Sequence, residues 1–177
     1  GPMSNHTLPD QEIDFSPQGP DELIAFAAEL GRTLKGRARD VPYLSGLCLL
    51  VRREVIETVG GLDLRFGLGN WEDADIGIRA VLAGYRLRLA RDVFIHHYGG
   101  QTTVSQGLDR TDLLLANWEL FKQKWGVTLD DGKGIGLDRL AEEVLPGVDQ
   151  ILSRDHHWHS LFDGSVWHRP NYELGVR

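Results

Sequence analysis

The sequence predicts an α/β domain, because segments with the apolar pattern of strands alternate with segments that have the pattern of helices. Residues 43–51, YLSGLCLLV, form an apolar run with the length of a buried strand. Residues 71–83 have helical spacing, and residues 85–90 then alternate apolar side chains with basic ones, as a half-buried strand does. The length of 177 residues and the hydrophobic content of 41% suit one domain, or a large part of one, with a buried core.

The other elements follow in order along the chain. Residues 1–19 are polar and contain prolines, which indicates an extended arm, and the opening GPM resembles what a protease leaves at a cleavage site. A helix is expected from Asp21, with acidic residues in its first turn, to Gly31 or Gly36. The remaining expectations are a short helix over 52–61, a strand over 93–98, a helix over 113–126, a loop over 127–136 and a short helix over 137–144.

The composition excludes several classes of protein. The net charge of −7 comes without a basic block, so a nucleic-acid backbone is not the expected partner. No apolar run reaches the length of a membrane span. The single cysteine, Cys48, excludes an internal disulfide and a multi-cysteine zinc site, and it is expected to be a small buried side chain.

Three carboxylates, those of Glu72, Asp73 and Asp75, fall in the first turn of the helix predicted over 71–83. One interpretation is structural, since the positive end of the helix dipole stabilises anions, and Asp75 would form a surface pair with Arg79. The other is functional: glycines in the preceding FGLGNW let the backbone approach a ligand, and an aspartate there could take a proton from a hydroxyl. The DAD pattern is a weak indication of metal binding by itself.

The histidines give a second set of candidates. His96 and His97 end the strand predicted over 93–98, and neighbouring residues on a strand point to opposite faces. One of the two is therefore either a hydrogen-bonded core residue or a ligand. Four more histidines lie between residues 156 and 168, where a zinc site and an aromatic surface segment are both open interpretations.

The ordered set YLSGLCLLVRREVIETVGGLDLRFGLGNWEDADIGIRAVLAGYRLRLARDVFIHHYGGQT resembles the second half of a GT-A-fold glycosyltransferase of family 2. The resemblance covers residues 42–125 and rests on an apolar strand, a GGLD turn, the WED triplet and a strand that ends in histidine before GGQT. It implies a partial GT-A (Rossmann-like) fold, namely the C-terminal half, with a short mixed sheet flanked by helices.

The resemblance also implies residue roles. Asp73 matches the general base that deprotonates the acceptor hydroxyl, and Glu72 matches its acceptor-binding neighbour. The residues before them, Gly69, Asn70 and Trp71, would contact the substrate. His97, with His96 as the alternate, matches the histidine of a divalent metal site. The metal, Mn²⁺ or Mg²⁺, would neutralise the leaving nucleoside diphosphate.

The nucleotide-binding half of the family has no counterpart before Pro42, so the expected protein is an acceptor-side fragment that is inactive alone and needs its metal only when complete. We divide the chain into an arm (1–19), this half-domain (20–126) and a His/Trp-rich extension (127–177). The complete enzyme would transfer a sugar from a nucleotide sugar to a hydroxyl of a glycan, peptide or lipid. A nucleic acid is not an expected partner.

Three further expectations complete this interpretation. An exposed sheet edge would allow a homodimer. The acidic, single-cysteine composition favours the cytoplasm, with membrane association through other parts of the parent protein. The rival functions are a non-catalytic binding or assembly module that keeps the half-fold, and a zinc-binding domain built on the histidine tail.

Overall fold

The computed structural model describes residues 1–98 and 110–125, and these form a mixed α/β structure with one three-stranded sheet and four α-helices. The strands are β1 (Pro2–Ser4), β2 (Ala38–Asp40) and β3 (Arg88–Ile95). The helices are α1 (Pro20–Thr33), α2 (Arg53–Val59), α3 (Glu72–Leu82) and α4 (Arg110–Trp125). Short 3₁₀ turns cover Pro9–Gln11 and Leu64–Phe66.

The sheet has the order β1-β3-β2, with β3 in the centre. β1 runs parallel to β3 and pairs Met3 with Phe94, whereas β2 runs antiparallel and pairs Ala38 with Ala90. Two side chains of β3, the fully buried Leu89 and the buried Phe94, pack in one cluster with half-buried residues of α1. Burial of these side chains is the main force that joins α1 to the sheet.

A second core joins α3 to α4. It contains Phe66 and residues from both helices, all of them buried: Ala74, Ile78, Trp118, Phe121 and Trp125. Large aromatic side chains dominate this cluster, and their burial stabilises the packing of α4 against α3. Because Ala74 is fully buried, the first turn of α3 lies directly against this core.

Four expected helices are confirmed within the described residues. α1 begins with a proline and two acidic residues, which fit the first turn of a helix, and Gly36 beyond its end has a φ of 69°. α3 ends before Gly84, whose φ of 82° favours glycine. α2 and α4 lie where their apolar spacing predicts them. The helix expected over 137–144 lies outside the described residues.

The strand predicted over 43–51 is wrong. Residues 47–52 have no regular secondary structure, and no strand lies beside them among the described residues. Leu50 is 97% exposed, and Cys48 is exposed although we expected it to be buried. An apolar run indicates that a segment can be buried, but a strand also needs a neighbour that pairs with its backbone.

Two other differences concern the sheet. The segment expected as an arm over 1–19 includes β1, whose residues are buried because they pair with the open side of β3. The two strands expected over 85–90 and 93–98 are one strand, β3, which ends before the histidines. β2 was not expected, because Ala38–Asp40 is exposed and lacks an apolar pattern. The division of the chain at residues 19 and 126 stays a prediction.

Charged side chains are buried between α3, α4 and the turn that precedes them. Asp75 accepts hydrogen bonds from Arg79 and from the indole of Trp125, and it pairs with Lys124. Lys124 also donates to Asp63. The Asp75–Arg79 pair that we expected on the surface is therefore wrong, since both side chains are at most 5% exposed.

Among residues 1–98 and 110–125, no helix is both long and apolar enough to cross a membrane.

Candidate functional site

The candidate site begins with a turn of unusual backbone conformation. Gly69, Asn70 and Trp71 have consecutive positive φ angles of 112°, 71° and 76°. Residues other than glycine rarely adopt positive φ angles. Residues in such sparsely populated backbone conformations cluster at functional sites. The turn leads directly into α3, with Glu72 and Asp73 in the first turn of the helix.

Helix α4 holds this turn in place. The buried side-chain amide of Asn117 donates hydrogen bonds to the carbonyl oxygens of Phe66 and Gly69, at 2.7 and 2.6 Å. The Trp71 indole donates to the carbonyl oxygen of Leu114, at 3.2 Å, and its ring packs against Trp118. These contacts hold the strained backbone from the side of α4.

The Asp73 carboxylate is held at both of its oxygens. Oδ1 accepts a hydrogen bond from the Tyr43 hydroxyl at 2.9 Å and from the Ala74 backbone N–H at 2.8 Å. Oδ2 accepts from the backbone N–H of Gly46 at 2.7 Å. A carboxylate has about four acceptor positions, so one remains for a ligand. The arrangement presents an oriented anion at the N-terminus of α3.

Tyr43 and Gly46 are site residues that the sequence analysis did not identify. Burial raises the pKa of the Tyr43 phenol well above its usual value, and the neighbouring charge of Asp73 raises it further. The phenol therefore stays protonated and donates to Asp73. The backbone of Gly46 lies so close to Asp73 that a Cβ at residue 46 would be 3.0 Å from the Asp73 Cβ.

Glu72 has a different environment from Asp73. Its side chain is half-buried, and within the described residues its Oε2 atom is buried without a hydrogen-bond partner. Burial raises the pKa of Glu72, and repulsion from Asp73 adds to the shift. A buried carboxylate oxygen without a partner is uncommon in folded proteins, and together with the raised pKa it makes Glu72 a candidate site residue.

Asp73 borders a cavity of about 390 Å³. Of the described residues that line this cavity, Asp73 alone carries a carboxylate, and Arg52, Arg86 and Arg88 carry positive charges. Most of the other lining residues are apolar, among them Leu44, Leu49, Leu50, Val51, Val55 and Ile76. A concave, mostly apolar site with a few polar groups is the usual form of a ligand-binding pocket.

The two histidines lie just beyond the end of β3 and contact different neighbours. The ring of His97 lies near His6, and its Nδ1 is 2.7 Å from the His6 carbonyl oxygen. The ring of His96 packs edge-on against Tyr98, and within the described residues its Nδ1 is buried without a hydrogen-bond partner. Among the described contacts, none joins either histidine to Glu72 or Asp73.

The described residues do not form a complete site for the expected metal. Nowhere in residues 1–98 and 110–125 do three His, Cys, Asp or Glu side chains converge as a metal site requires. Mn²⁺ and Mg²⁺ prefer several oxygen ligands, which one or two imidazoles do not supply. The histidines between residues 156 and 168, with the zinc site they could form, lie outside the described residues.

Comparison with known proteins gives a partial match. Three uncharacterized mycobacterial proteins, one from Mycobacterium bovis and two from strains of Mycobacterium tuberculosis, are each 37% identical to the chain over 70 residues. The match covers 38% of this chain and 27% of each relative, so the chain spans about a quarter of the length of these relatives. No protein-family model and no solved structure matches the chain.

Proposed function

We propose that the chain is the acceptor-side half of an inverting glycosyltransferase of family 2, with a partial GT-A fold. In this proposal Asp73 accepts the proton of the acceptor hydroxyl while that oxygen attacks the anomeric carbon of the donor sugar. The new glycosidic bond forms as the bond to the nucleoside diphosphate breaks, with inversion at that carbon. Glu72 binds the acceptor beside Asp73, and Gly69, Asn70 and Trp71 contact the substrate.

The observation that carries this proposal is the arrangement around Asp73. Its carboxylate is oriented by Tyr43 and Gly46, borders a cavity of about 390 Å³ and keeps one free acceptor position. A general base must be held within hydrogen-bond reach of the proton that it removes. The strained turn before α3, which Asn117 holds, supports the same interpretation, because strain of this kind is common at active sites.

The segment 47–51 supports the proposal that the chain is half of a larger domain. This segment has the sequence of a buried strand, but its residues Leu50 and Val51 are exposed and it has no paired neighbour among the described residues. A strand from a nucleotide-binding half would pair with its backbone and cover Leu50. The donor would then be a nucleotide sugar, and the acceptor a hydroxyl of a glycan, peptide or lipid.

The metal belongs to the complete enzyme in this proposal. His97, or His96 in its place, would supply one ligand to Mn²⁺ or Mg²⁺, and oxygen ligands would come from the nucleotide-binding half. The metal would neutralise charge on the leaving diphosphate. We propose the cytoplasm as the location, with membrane association through other parts of the parent protein.

Substitution of Asp73 in a protein that contains both halves tests the enzyme proposal. Asp73→Asn should lower sugar transfer by about 100-fold or more, the usual contribution of a general base, while acceptor binding is retained. The control is Asp21→Asn in the exposed first turn of α1, which should leave transfer unchanged. Unchanged transfer by the Asp73 variant would contradict the proposal.

Calorimetric titration of this chain with UDP and then GDP, each with Mn²⁺ present, tests the assignment to the acceptor-side half. We expect no binding, because the residues that recognise the nucleotide would lie in the other half. Micromolar binding would mean that the chain completes a donor site by itself and that the half-domain proposal is wrong.

A non-catalytic binding or assembly module is the second candidate. It is favoured by the three protein groups that already donate to Asp73, since a carboxylate with this many partners also serves to hold a structure together. In such a module the exposed segment 47–51 would pair with a second copy. Sedimentation would then show a dimer that Leu50→Glu dissociates, and Asp73→Asn would leave transfer by the parent protein unchanged.

A further inference from the structure

The side chain of Asn5 forms hydrogen bonds with the backbone of His97 in both directions. Its Oδ1 accepts from the His97 N–H at 2.7 Å, and its Nδ2 donates to the His97 carbonyl oxygen at 3.3 Å. β1 ends at Ser4, which pairs with Ile95, the last residue of β3. The Asn5 amide therefore extends the pairing of β1 with β3 by one step, to a residue beyond the end of the strand.

The residue after Asn5 fixes the imidazole of His97. The Nδ1 atom lies 2.7 Å from the carbonyl oxygen of His6. A carbonyl oxygen only accepts, so in the neutral ring the hydrogen is on Nδ1 and the lone pair is on Nε2. The turn that holds the His97 backbone thus also selects its tautomer.

A second side-chain amide connects the same strand to Asp73. Gln11 is fully buried, its Nε2 donates to the Pro2 carbonyl oxygen at 3.0 Å, and its Oε1 accepts from the Ser45 N–H at 2.7 Å. The next residue, Gly46, donates its N–H to Asp73. Because Pro2 belongs to β1, one short strand is tied to the residues that hold Asp73 and, through Asn5, to His97.

We propose that Asn5 and Gln11 are positioning residues that fix Asp73 and His97 relative to each other, with β1 as their common frame. The assignment of Asp73 and His97 to one site rests on the proposed function. Asn5 acts on the backbone and the tautomer of His97. Gln11 acts on the segment that carries the Gly46 N–H. Neither side chain touches the reacting groups.

Nuclear magnetic resonance of the chain labelled with ¹⁵N and ¹³C tests the role of Asn5, at one pH where the imidazole is neutral. In the wild type His97 should be the Nδ1–H tautomer. Asn5→Ala should give a mixture of tautomers and move the His97 amide proton signal upfield, because the bond to Oδ1 is lost. Asn5→Asp keeps an acceptor at this position, so it should restore the amide signal. The control Gln18→Ala removes an exposed amide and should change neither signal.

The role of Gln11 has a separate readout. Gln11→Leu should shift the Gly46 amide signal, which reports on the bond to Asp73, and leave the tautomer of His97 unchanged. If Asn5→Ala does not fold, Asn5→Asp carries the test through the His97 carbonyl ¹³C signal, which should shift because the Nδ2 donor is lost.

A wild-type His97 amide signal and tautomer in Asn5→Ala, a wild-type His97 carbonyl signal in Asn5→Asp, or a wild-type Gly46 amide signal in Gln11→Leu would overturn the proposal. These signals do not depend on sugar transfer. If they change as expected and Asp73→Asn has no effect on transfer, the proposed function fails and the common frame remains.

Discussion

The backbone N–H of Gly46 donates a 2.7 Å hydrogen bond to Oδ2 of Asp73, across 27 positions of sequence. Nothing in the spacing of the two residues indicates this contact. It brings a coil segment against the first turn of α3, and it determines which way the Asp73 carboxylate faces. The approach is close because Gly46 has no side chain.

Gly46→Ala should displace the Asp73 carboxylate. The new Cβ would lie 3.0 Å from the Asp73 Cβ and 3.2 Å from Oδ2, so these atoms must move by a few tenths of an ångström. We expect a loss of about 1 kcal/mol in the free energy of unfolding, the usual value of one hydrogen bond, and a shifted amide signal of residue 46. The matched control is Gly19→Ala, where a Cβ meets nothing within 4 Å. Equal effects of the two variants would contradict this prediction.

Tyr43 should ionise later than an ordinary tyrosine, because burial and then the Asp73 charge raise its pKa. Alkaline titration followed by ultraviolet difference spectra should show a late component that is missing from Tyr43→Phe. A raised folded-state pKa means that the folded chain keeps a proton that the unfolded chain has lost. Stability from this group is therefore complete below pH 10 and falls as the pH rises further. Normal titration of all tyrosines would contradict the buried contact.

Glu72→Gln should stabilise the chain at pH 7. Burial and repulsion from Asp73 raise the pKa of Glu72, so its ionised form is less favourable in the folded state than in the unfolded state. Stability therefore falls as the pH rises from about 4.5 through the raised pKa, and the amide removes this loss. Urea unfolding at several pH values measures the effect, and the exposed Glu57→Gln is the control. A gain in stability together with a loss of acceptor binding would mark a residue kept for function.

Lys124→Met should destabilise the chain strongly. Lys124 is 3% exposed and pairs with the equally buried Asp63 and Asp75, so its removal leaves two buried carboxylates with fewer positive partners. Loss of one member of a buried pair costs about 3–5 kcal/mol. The control is Arg32→Met, which breaks the exposed pair with Glu29 and should have almost no effect. Urea unfolding of both variants tests the difference.

The chain should lose stability in acid partly through Asp63. Burial alone would raise the pKa of Asp63, but hydrogen bonds from Arg65 and the charge of Lys124 outweigh it and hold the pKa well below its usual value. The folded state therefore loses stability as the pH falls below about 3.8, where the unfolded state begins to bind the proton. Asp63→Asn should lose less stability than the wild type between pH 4 and pH 3. Asp21→Asn, in the exposed first turn of α1, should behave as the wild type.

Apolar spacing was sufficient to predict the helices of the described residues. It predicted α3 with its acidic first turn, and so it identified Glu72 and Asp73 as candidates. It failed for residues 43–51, since the same apolar run fits a paired strand and an unpaired segment. It also failed for Ala38–Asp40, because an exposed edge strand is held by backbone bonds that need no particular side chains.

The contacts of the site were beyond prediction for a related reason. The side chains of Asn5, Gln11, Tyr43 and Asn117 act through hydrogen bonds to distant positions, and an isolated polar residue in a sequence carries no periodic signal. The positive φ angles of Asn70 and Trp71 were also hidden, since neither residue is a glycine. Only the glycines around them marked the turn.

The sequence by itself determined where the helices form and which side chains can carry a negative charge into the site, because both depend on neighbours within one or two turns of chain. The tertiary structure alone decided that residues 2–4 complete the sheet, that segment 47–51 lies unpaired, and that Tyr43 and Gly46 orient Asp73. It also decided the tautomer of His97 through the His6 carbonyl. These features are backbone and side-chain hydrogen bonds between distant segments, and such bonds exist only after hydrophobic burial has brought the segments together.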